Sequence, residues 1–278
     1  MTGAEGKSDK TAPWDLFAVR SVLFLPASNP RAIAKARGAG PDLVVLDLED
    51  AVKPADKAAA RDAAVEAVAS EWAMPVAIRV NGVGTDWHSL DIEAAARSAT
   101  DLIVVPRAVS AHLVHGIAAA AAKPVVAMIE TAAGVLAASE IAAESAGLIA
   151  GTNDLRADLR LPLGAGREPI ATALQLIVLA ARASGVPVFD GVFNQLTDDD
   201  GFAAECRDAR MLGFDGKSLI HPNQIEPCNR LFAPTSEEIE RAEKLVATFE
   251  GGAERFEDEM IERMHVEAAR RVLARARR

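Results

Sequence analysis

Short runs of hydrophobic residues alternate along the chain with longer segments that have a helical pattern. Each run holds four to six residues and is dominated by Val, Ile, Leu and Ala, which is typical of parallel strands buried on both faces. The alanine-rich segments between the runs predict helices. The eight predicted strands span residues 21–25, 43–48, 75–80, 102–105, 124–129, 147–150, 186–189 and 216–220.

Eight units of strand and helix in roughly 250 residues are typical of a (β/α)₈ TIM barrel. An open, doubly wound sheet is the alternative, but no G-x-G-x-x-G motif follows any predicted strand. We therefore predict an α/β fold with a single TIM barrel over residues 19–233.

The two ends of the chain fall outside this repeat. Residues 1–18 are polar, and we predict a disordered lead-in. Residues 234–278 are predicted to form a C-terminal helical extension, with a short link at 256–264 between two helices. Such an extension can contact a neighbouring subunit or act as a lid, and the alternative is a solvated tail.

Composition excludes several classes of function. The 278 residues are 50% hydrophobic and carry a net charge of −10, whereas nucleic-acid binding needs a basic surface. No apolar run approaches the roughly 18 residues of a membrane span, and the N-terminus lacks the apolar segment of a secretory signal. The two cysteines, Cys206 and Cys228, lack metal-ligand spacing, which favours a reduced, cytoplasmic protein.

Two carboxylates follow the fifth and sixth predicted strands. Glu130 ends the run 124–129, and Asp154 follows the run 147–150. The strands of a βαβ unit run in the same direction, so both acids reach the same edge of the sheet. Without histidine or cysteine beside them, they suit Mg²⁺, which keeps water and takes substrate oxygens. Alternatively both acids are helix N-caps, although glutamate is a poor N-cap.

A basic residue, Arg79, lies at the end of the third predicted strand. Its guanidinium can hold a substrate carboxylate through two hydrogen bonds. Alternatively it forms a structural ion pair with Glu49 or Asp50, which follow the second strand. These two acids are predicted to orient Arg79 and metal-bound water, and Asp50 could instead cap the next helix.

The segment from Gly151 to Asp154 has a second predicted role. Glycine permits a tight turn or a close approach of the backbone. The amides of Thr152, Asn153 and Asp154 would then be free to bind a substrate carboxylate at the start of a helix.

Six segments in the same order carry a resemblance to a known family. They are 20–26 (RSVLFLP), 46–52 (LDLEDAV), 79–81 (RVN), 129–131 (IET), 151–155 (GTNDL) and 216–222 (GKSLIHP). In these segments, which extend over most of the predicted barrel, the chain resembles the citrate lyase beta-subunit-like family of CoA-ester lyases, within the HpcH/HpaI aldolase group.

The resemblance implies a TIM barrel that is often trimeric or hexameric. It also implies that Mg²⁺ is held by Glu130 and Asp154 and that the substrate carboxylate is held by Arg79. Family lyases of the malyl-CoA and citramalyl-CoA type also use an aspartate in a C-terminal Met-[Ile/Val]-Asp motif, delivered from the adjacent subunit as acid and base. Here residues 260–262 read Met-Ile-Glu. Glu262 is one methylene longer than aspartate, and a shift of ~1 Å can cost ~10²-fold in rate. Two alternatives are open: Glu262 serves a different substrate, or the malyl-CoA-type chemistry is lost.

We therefore predict a Mg²⁺-dependent carbon–carbon lyase. It would cleave a β-hydroxyacyl-CoA of the citryl-, malyl- or citramalyl-CoA type into an acyl-CoA, such as acetyl-CoA, and a 2-oxo acid, with Arg79 and Glu262 as catalytic residues. The same site could instead perform condensation, as a malate synthase does, or thioester hydrolysis, or cleavage of a free hydroxy-oxo acid. The chain could also be a subunit of a multi-protein citrate lyase that acts with an acyl carrier protein.

Overall fold

A closed barrel of eight parallel strands forms the centre of the computed structural model, which describes residues 14–276. Each strand pairs with the next along the chain, and the last returns to pair with the first. The predicted TIM barrel is confirmed. The strands are β1 Ser21–Pro26, β2 Leu43–Asp47, β3 Val76–Arg79, β4 Leu102–Val105, β5 Val125–Ile129, β6 Gly147–Ala150, β7 Val188–Asp190 and β8 Gly216–Leu219.

Helices follow the strands and surround the barrel. One of them, the helix Ile225–Phe232, was not predicted from the sequence pattern. The helices up to the end of the barrel are α1 Pro30–Ala39, α2 Lys57–Val68, α3 His88–Arg97, α4 Ala111–Ala121, α5 Ala132–Leu136, α6 Ala138–Ala143, α7 Thr152–Asp158, α8 Ala171–Ser184, α9 Asp199–Leu212 and α10 Ile225–Phe232. Within the described residues, no helix is long and apolar enough to cross a membrane.

The strands read as continuous apolar runs because alternate residues enter two different cores. In β2, Leu43 and Val45 join the apolar cluster inside the barrel, whereas Val44 and Leu46 pack outward against the helices. All four side chains are completely buried. The inner cluster leaves the carboxyl ends of the strands to polar residues, and this is where the site is built.

The C-terminal extension has a core of its own. It consists of α11 Ser236–Thr248, a hairpin of β9 Glu254–Phe256 and β10 Glu259–Ile261, and α12 Arg263–Ala276. The two helices pack together, with the buried Ile261 of the hairpin in the shared core. The predicted short link at 256–264 is therefore wrong in part. The charged residues of this segment gave no strand signal, whereas two apolar side chains of the hairpin, Phe256 and Ile261, pack in the core shared with both helices.

The predicted lead-in lies mostly outside the described residues, since residues 1–13 are not among them. Of the remainder, Leu16–Ala18 form one turn of 3₁₀ helix, and the carboxylate of Asp15 accepts a hydrogen bond from the amide of Phe17. The predicted disorder of the lead-in stays a prediction.

Candidate active site

A cavity of about 400 Å³ opens at the carboxyl ends of the barrel strands. Its walls include Arg79 from β3, Glu130 after β5 and residues 151–154 after β6. Asp50, which follows β2, also lines it. The structure thus brings together the strand-end residues that the sequence singled out.

Arg79 is held rigidly by Asp47, the last residue of β2. Its Nε and Nη2 atoms donate to the two carboxylate oxygens of Asp47 at 2.6 and 2.7 Å. Arg79 and Asp47 are register partners on neighbouring strands, and both are buried. Burial lowers the pKa of Arg79, but Asp47 and Glu49 outweigh it, so the pKa is raised and the guanidinium stays charged. The two hydrogen bonds fix the guanidinium group of Arg79 in one orientation.

Asp47 is a functional residue that the sequence pattern missed. The same carboxylate also accepts the amides of Glu49 and Ala51, at 2.8 and 3.1 Å, and so shapes the turn after β2. The alternative role of Asp50 as a cap of the next helix is wrong, because α2 begins at Lys57 and Asp56 holds its N-cap position. A signal was present in the sequence, because the acidic Asp47 ends β2 and the basic Arg79 ends the neighbouring strand β3.

Glu49 and Asp50 are placed unequally around Arg79. The Oε2 atom of Glu49 lies 2.9 Å from Nη1 of Arg79, but no N–H points at it, and this buried oxygen has no hydrogen-bond partner. Asp50 is largely exposed and 3.9 Å from the same nitrogen. Burial raises the pKa of Glu49 to about 8, although Arg79 acts to lower it. Glu49 is therefore a poorly solvated acid beside the cavity.

The substitution Glu49→Gln is expected to reduce the pH dependence of stability in the metal-free protein. With a folded-state pKa of about 8 against an ordinary 4.5, the folded chain retains a proton that the unfolded chain releases. This stabilisation is complete below pH 4.5 and is lost as the pH rises through about 8. Between pH 6 and 8 in EDTA, we expect the free energy of unfolding of the variant to fall about 1–2 kcal/mol less than that of the wild type.

Urea unfolding at the two pH values measures this difference. Glu93→Gln, in an exposed pair with Arg97, is the matched control and should keep the wild-type slope. An identical slope in Glu49→Gln would contradict the raised pKa.

Glu130 is buried and oriented by the backbone. Its Oε1 atom accepts the amide of Arg107 at 2.6 Å. Burial raises the pKa of Glu130 to about 7, the Arg107 amide acts to lower it, and the charge of Asp154 acts to raise it. A cation close to Glu130 and Asp154 would relieve both the burial and the repulsion of the two carboxylates.

Gly151 makes room for this carboxylate. A Cβ atom at this position would lie 2.3 Å from both Cβ and Oε2 of Glu130. Any larger residue would therefore displace the acid. The close backbone approach predicted for this glycine is present, and the partner that requires it is Glu130.

The segment after Gly151 forms the first turn of α7. Asp154 is partly exposed and pairs with Arg107. Asn153 exchanges side-chain hydrogen bonds with Asn194, at 2.8 and 3.3 Å, across the mouth of the cavity. Thr152 is buried, and its hydroxyl has no hydrogen-bond partner. The first intrahelical bond is made by Leu155 to Gly151, so the amides before it have no helical acceptor.

The donor set of the cavity fits a magnesium ion. Mg²⁺ is usually held by one or two carboxylates together with water and substrate oxygens. Glu130 and Asp154 supply two, and the orphaned Oε2 atom of Glu49 leaves an acceptor for a bound water. Among residues 14–276, no group of three or more acidic, histidine or cysteine side chains could by itself hold a metal ion, so water and substrate oxygens would have to complete the coordination.

Glu262 is not part of this cavity in its own chain. It is exposed, lies between β10 and α12, and its amide donates to Nδ1 of His265 at 2.9 Å. The far end of α12 is tied by Arg275 to Asp215, which precedes β8 at the opposite face of the barrel. In the single chain, Glu262 is therefore not among the described residues that line the cavity.

A buried group of four charges lies behind the cavity, and the sequence pattern did not reveal it. Lys217 of β8 is completely buried and bonds Asp190 and Glu205, each at 2.6 Å. Arg167 completes the group with two bonds to Asp190, at 3.0 and 3.1 Å. The charges balance, and they join β7, β8 and α9 beside the site.

Comparison with known proteins identifies a family. The sequence profile of the HpcH/HpaI aldolase/citrate lyase family matches residues 20–222. That of the C-C bond lyases of the TIM-barrel fold matches residues 167–278.

Individual relatives agree with the profiles over nearly the full length. A (3S)-malyl-CoA thioesterase of Cereibacter sphaeroides is 41% identical over 92% of this chain and 94% of its own. A citrate lyase subunit beta of Leuconostoc mesenteroides is 34% identical over 91% and 92%. The structure of CitE from Mycobacterium tuberculosis, in complex with magnesium, acetoacetate and coenzyme A, matches with a TM-score of 0.84 and 35% identity, over 95% of this chain and all of that one.

Proposed function

Because the chain belongs to the HpcH/HpaI aldolase/citrate lyase family, we propose that it is a Mg²⁺-dependent lyase acting on a β-hydroxyacyl-CoA. It cleaves a carbon–carbon bond to give an acyl-CoA, such as acetyl-CoA, and a 2-oxo acid. The observation that carries the proposal is that the buried Arg79 and the Glu130–Asp154 pair line the same cavity. The CitE complex with magnesium, acetoacetate and coenzyme A supports the choice of metal and ligands.

Each residue of the cavity has a definite task in this proposal. Glu130 and Asp154 would hold the metal, and Glu49 and Asp50 would help to orient water bound to it. Bound there, Mg²⁺ supplies Lewis-acid polarisation of the hydroxyl and carboxylate oxygens of the substrate. Arg79, already locked by Asp47, presents its remaining N–H groups to the substrate carboxylate and fixes its orientation.

The amides of Thr152, Asn153 and Asp154 offer further donors to that carboxylate. The Asn153–Asn194 pair narrows the cavity mouth and helps to exclude water from the bond that breaks.

The proton transfers require an acid and base, and most carboxylates of this cavity already have other roles. Asp47 is committed to Arg79, and Glu130 and Asp154 are committed to the metal. Among the described lining residues, this leaves only the exposed Asp50 as a carboxylate. We therefore assign the acid and base to Glu262 of a neighbouring subunit in a homotrimer or hexamer. The exposed Met260 and Met264, which flank it, give this tip apolar surface for docking.

Turnover of the purified chain on malyl-, citramalyl- and citryl-CoA tests the proposal. With Mg²⁺, we expect one of them to give a 2-oxo acid and an acyl-CoA without release of free thiol, and EDTA should stop the reaction. No 2-oxo acid from any of the three, from a chain that is folded and binds Mg²⁺, would overturn the lyase assignment for these substrates.

Thioester hydrolysis is the second candidate, and the 41% identity to a (3S)-malyl-CoA thioesterase favours it. The products separate the two reactions. Hydrolysis of malyl-CoA gives free coenzyme A thiol and malate, whereas cleavage gives glyoxylate and acetyl-CoA. If free thiol appears without glyoxylate, the protein is a thioesterase and the lyase proposal is wrong.

A role as a citrate lyase subunit is the third candidate, supported by the 34% identity to a citrate lyase subunit beta. In that case free CoA esters would be poor substrates. The corresponding thioester of an acyl carrier protein would then be cleaved at least ~10²-fold faster, because binding energy from the carrier would be used in the transition state.

Mixing two inactive variants is expected to restore activity if Glu262 acts across subunits. Glu262→Gln and Glu130→Gln should each lose about 10²–10⁴-fold in kcat, as expected for loss of a general acid/base or a metal ligand. In randomly mixed oligomers, about a quarter of sites would combine an intact cavity with an intact Glu262 from the neighbour. The kcat of the reassembled mixture should therefore reach about a quarter of the wild-type value. Activity that stays at the level of the separate variants would contradict the assignment.

A further inference from the structure

Both proposed metal ligands have the same partner, Arg107. This residue follows β4 and Pro106. Its amide donates to Oε1 of Glu130 at 2.6 Å, and its Nη1 atom lies 3.5 Å from Oδ1 of Asp154. Within residues 14–276, no other cation pairs with Asp154. Arg107 therefore spans the two carboxylates, using its backbone for one and its side chain for the other.

The backbone of Arg107 adopts a conformation that residues with a Cβ atom rarely take. Its φ angle is +48°, in the left-handed region. In this conformation its amide donates to the buried carboxylate of Glu130. An unfavourable backbone conformation persists only where the surroundings require it, and such sites cluster where ligands bind. Here the requirement is the buried carboxylate.

We propose that Arg107 is a built-in counter-cation of the Glu130–Asp154 pair, which a divalent metal must displace from Asp154 and which therefore limits how tightly the pair binds metal. The inference rests on the metal site of the proposed function and adds a competitor to it. A guanidinium has no lone pair to offer a metal, and its charge repels a cation. Its contact can therefore only compete.

The contact is weak enough to be displaced. The side chains of Arg107 and Asp154 are 53% and 40% exposed, and ion pairs in such surroundings contribute little. The hydrogen bond from the backbone amide of Arg107 to Glu130 involves no side-chain atom of Arg107, so it can remain when the guanidinium moves away. Arg107 thus orients Glu130 through its backbone whether or not metal is bound, and its guanidinium pairs with Asp154 only while metal is absent.

Calorimetric titration of the full-length, metal-free protein with Mg²⁺, in the absence of substrate, tests this inference. Arg107→Asn removes the charge, and asparagine tolerates a left-handed backbone, so the amide bond can persist. We expect Mg²⁺ to bind this variant about three- to tenfold more tightly, from the lost pairing and repulsion. Arg107→Lys keeps the charge and should stay within about twofold of the wild type, on the same electrostatic ground.

Two further variants make the result decisive. Arg107→Gly also removes the charge, and glycine adopts a φ angle of +48° without strain. We expect it to show the same gain in Mg²⁺ affinity, which keeps the test valid if Arg107→Asn folds poorly. Arg97→Asn removes the same charge from an exposed pair with Glu93 on α3, and it should leave the affinity unchanged.

The outcomes separate this inference from the function on which it rests. Equal or weaker Mg²⁺ binding by both uncharged variants, with a wild type that binds Mg²⁺ normally, overturns the role of Arg107 alone. A wild type that binds no Mg²⁺ overturns the metal site and this inference together. Tighter binding in both uncharged variants, and in neither control, supports the inference whichever reaction the protein catalyses.

Discussion

Replacing Gly151 with alanine is expected to weaken Mg²⁺ binding strongly while leaving the barrel folded. The added Cβ would lie 2.3 Å from both Cβ and Oε2 of Glu130. Rotating the carboxylate cannot relieve a clash with Cβ, so the end of β5 or the start of α7 must move. Because metal ligands must be placed within a few tenths of an ångström, we expect Mg²⁺ affinity to fall at least ~10²-fold. Turnover should fall by ~10²-fold or more, since a shift near ~1 Å at a reacting centre has this effect.

Stability should suffer much less than binding. Overpacking of this kind costs about 1–3 kcal/mol, which a barrel of this size can absorb. Calorimetry with Mg²⁺ and thermal unfolding in EDTA measure the two effects separately.

Gly116→Ala is the matched control for this substitution. Gly116 lies inside α4, and a Cβ there would meet no atom within 4 Å. This change should leave Mg²⁺ binding intact and stabilise the protein by up to about 1 kcal/mol, because alanine favours helix. Normal Mg²⁺ affinity in Gly151→Ala would mean that Glu130 is not a ligand.

The sequence predicts those parts of the site that follow from strand direction. Parallel strands place their carboxyl ends at one edge, so a polar residue after each apolar run is enough to bring Arg79, Glu130 and Asp154 together. The same reasoning overlooked Asp47, because it lies within the run 43–48 that was assigned to the buried strand. Its role becomes visible only from the register that sets it opposite Arg79.

Other parts of the site leave no trace in a side-chain pattern. Arg107 orients Glu130 through its backbone amide, and an amide is present at almost every residue. The hairpin of residues 254–261 consists mostly of charged residues and forms through contacts with two helices. The placement of Glu262 depends, in our proposal, on a second copy of the chain. These features arise from tertiary or quaternary contacts, which one sequence does not encode as a local pattern.

Replacing Asp47 with asparagine is expected to cost both stability and substrate binding. The Asp47 carboxylate accepts four hydrogen bonds, two from Arg79 and two from the amides of Glu49 and Ala51. An asparagine offers one oxygen, and its NH₂ group would face a donor. The guanidinium of Arg79 would remain buried and would lose both charge-assisted hydrogen bonds, with Glu49 as its remaining close carboxylate neighbour. We expect the free energy of unfolding to fall by about 3–5 kcal/mol.

The loss of orientation at Arg79 should appear in the kinetics at temperatures where the variant is folded. We expect kcat/KM to fall about 10²-fold or more, because the fork no longer faces the substrate carboxylate in a single geometry. Mg²⁺ affinity should change less than threefold, since Glu130 and Asp154 are held by Arg107 and not by Asp47. Asp258→Asn, in an exposed pair with Arg255, is the control and should alter neither quantity. If Asp47→Asn lowered stability but left kcat/KM of the folded fraction unchanged, Arg79 would be a structural residue and the clamp would have to be sought among the amides of residues 152–154.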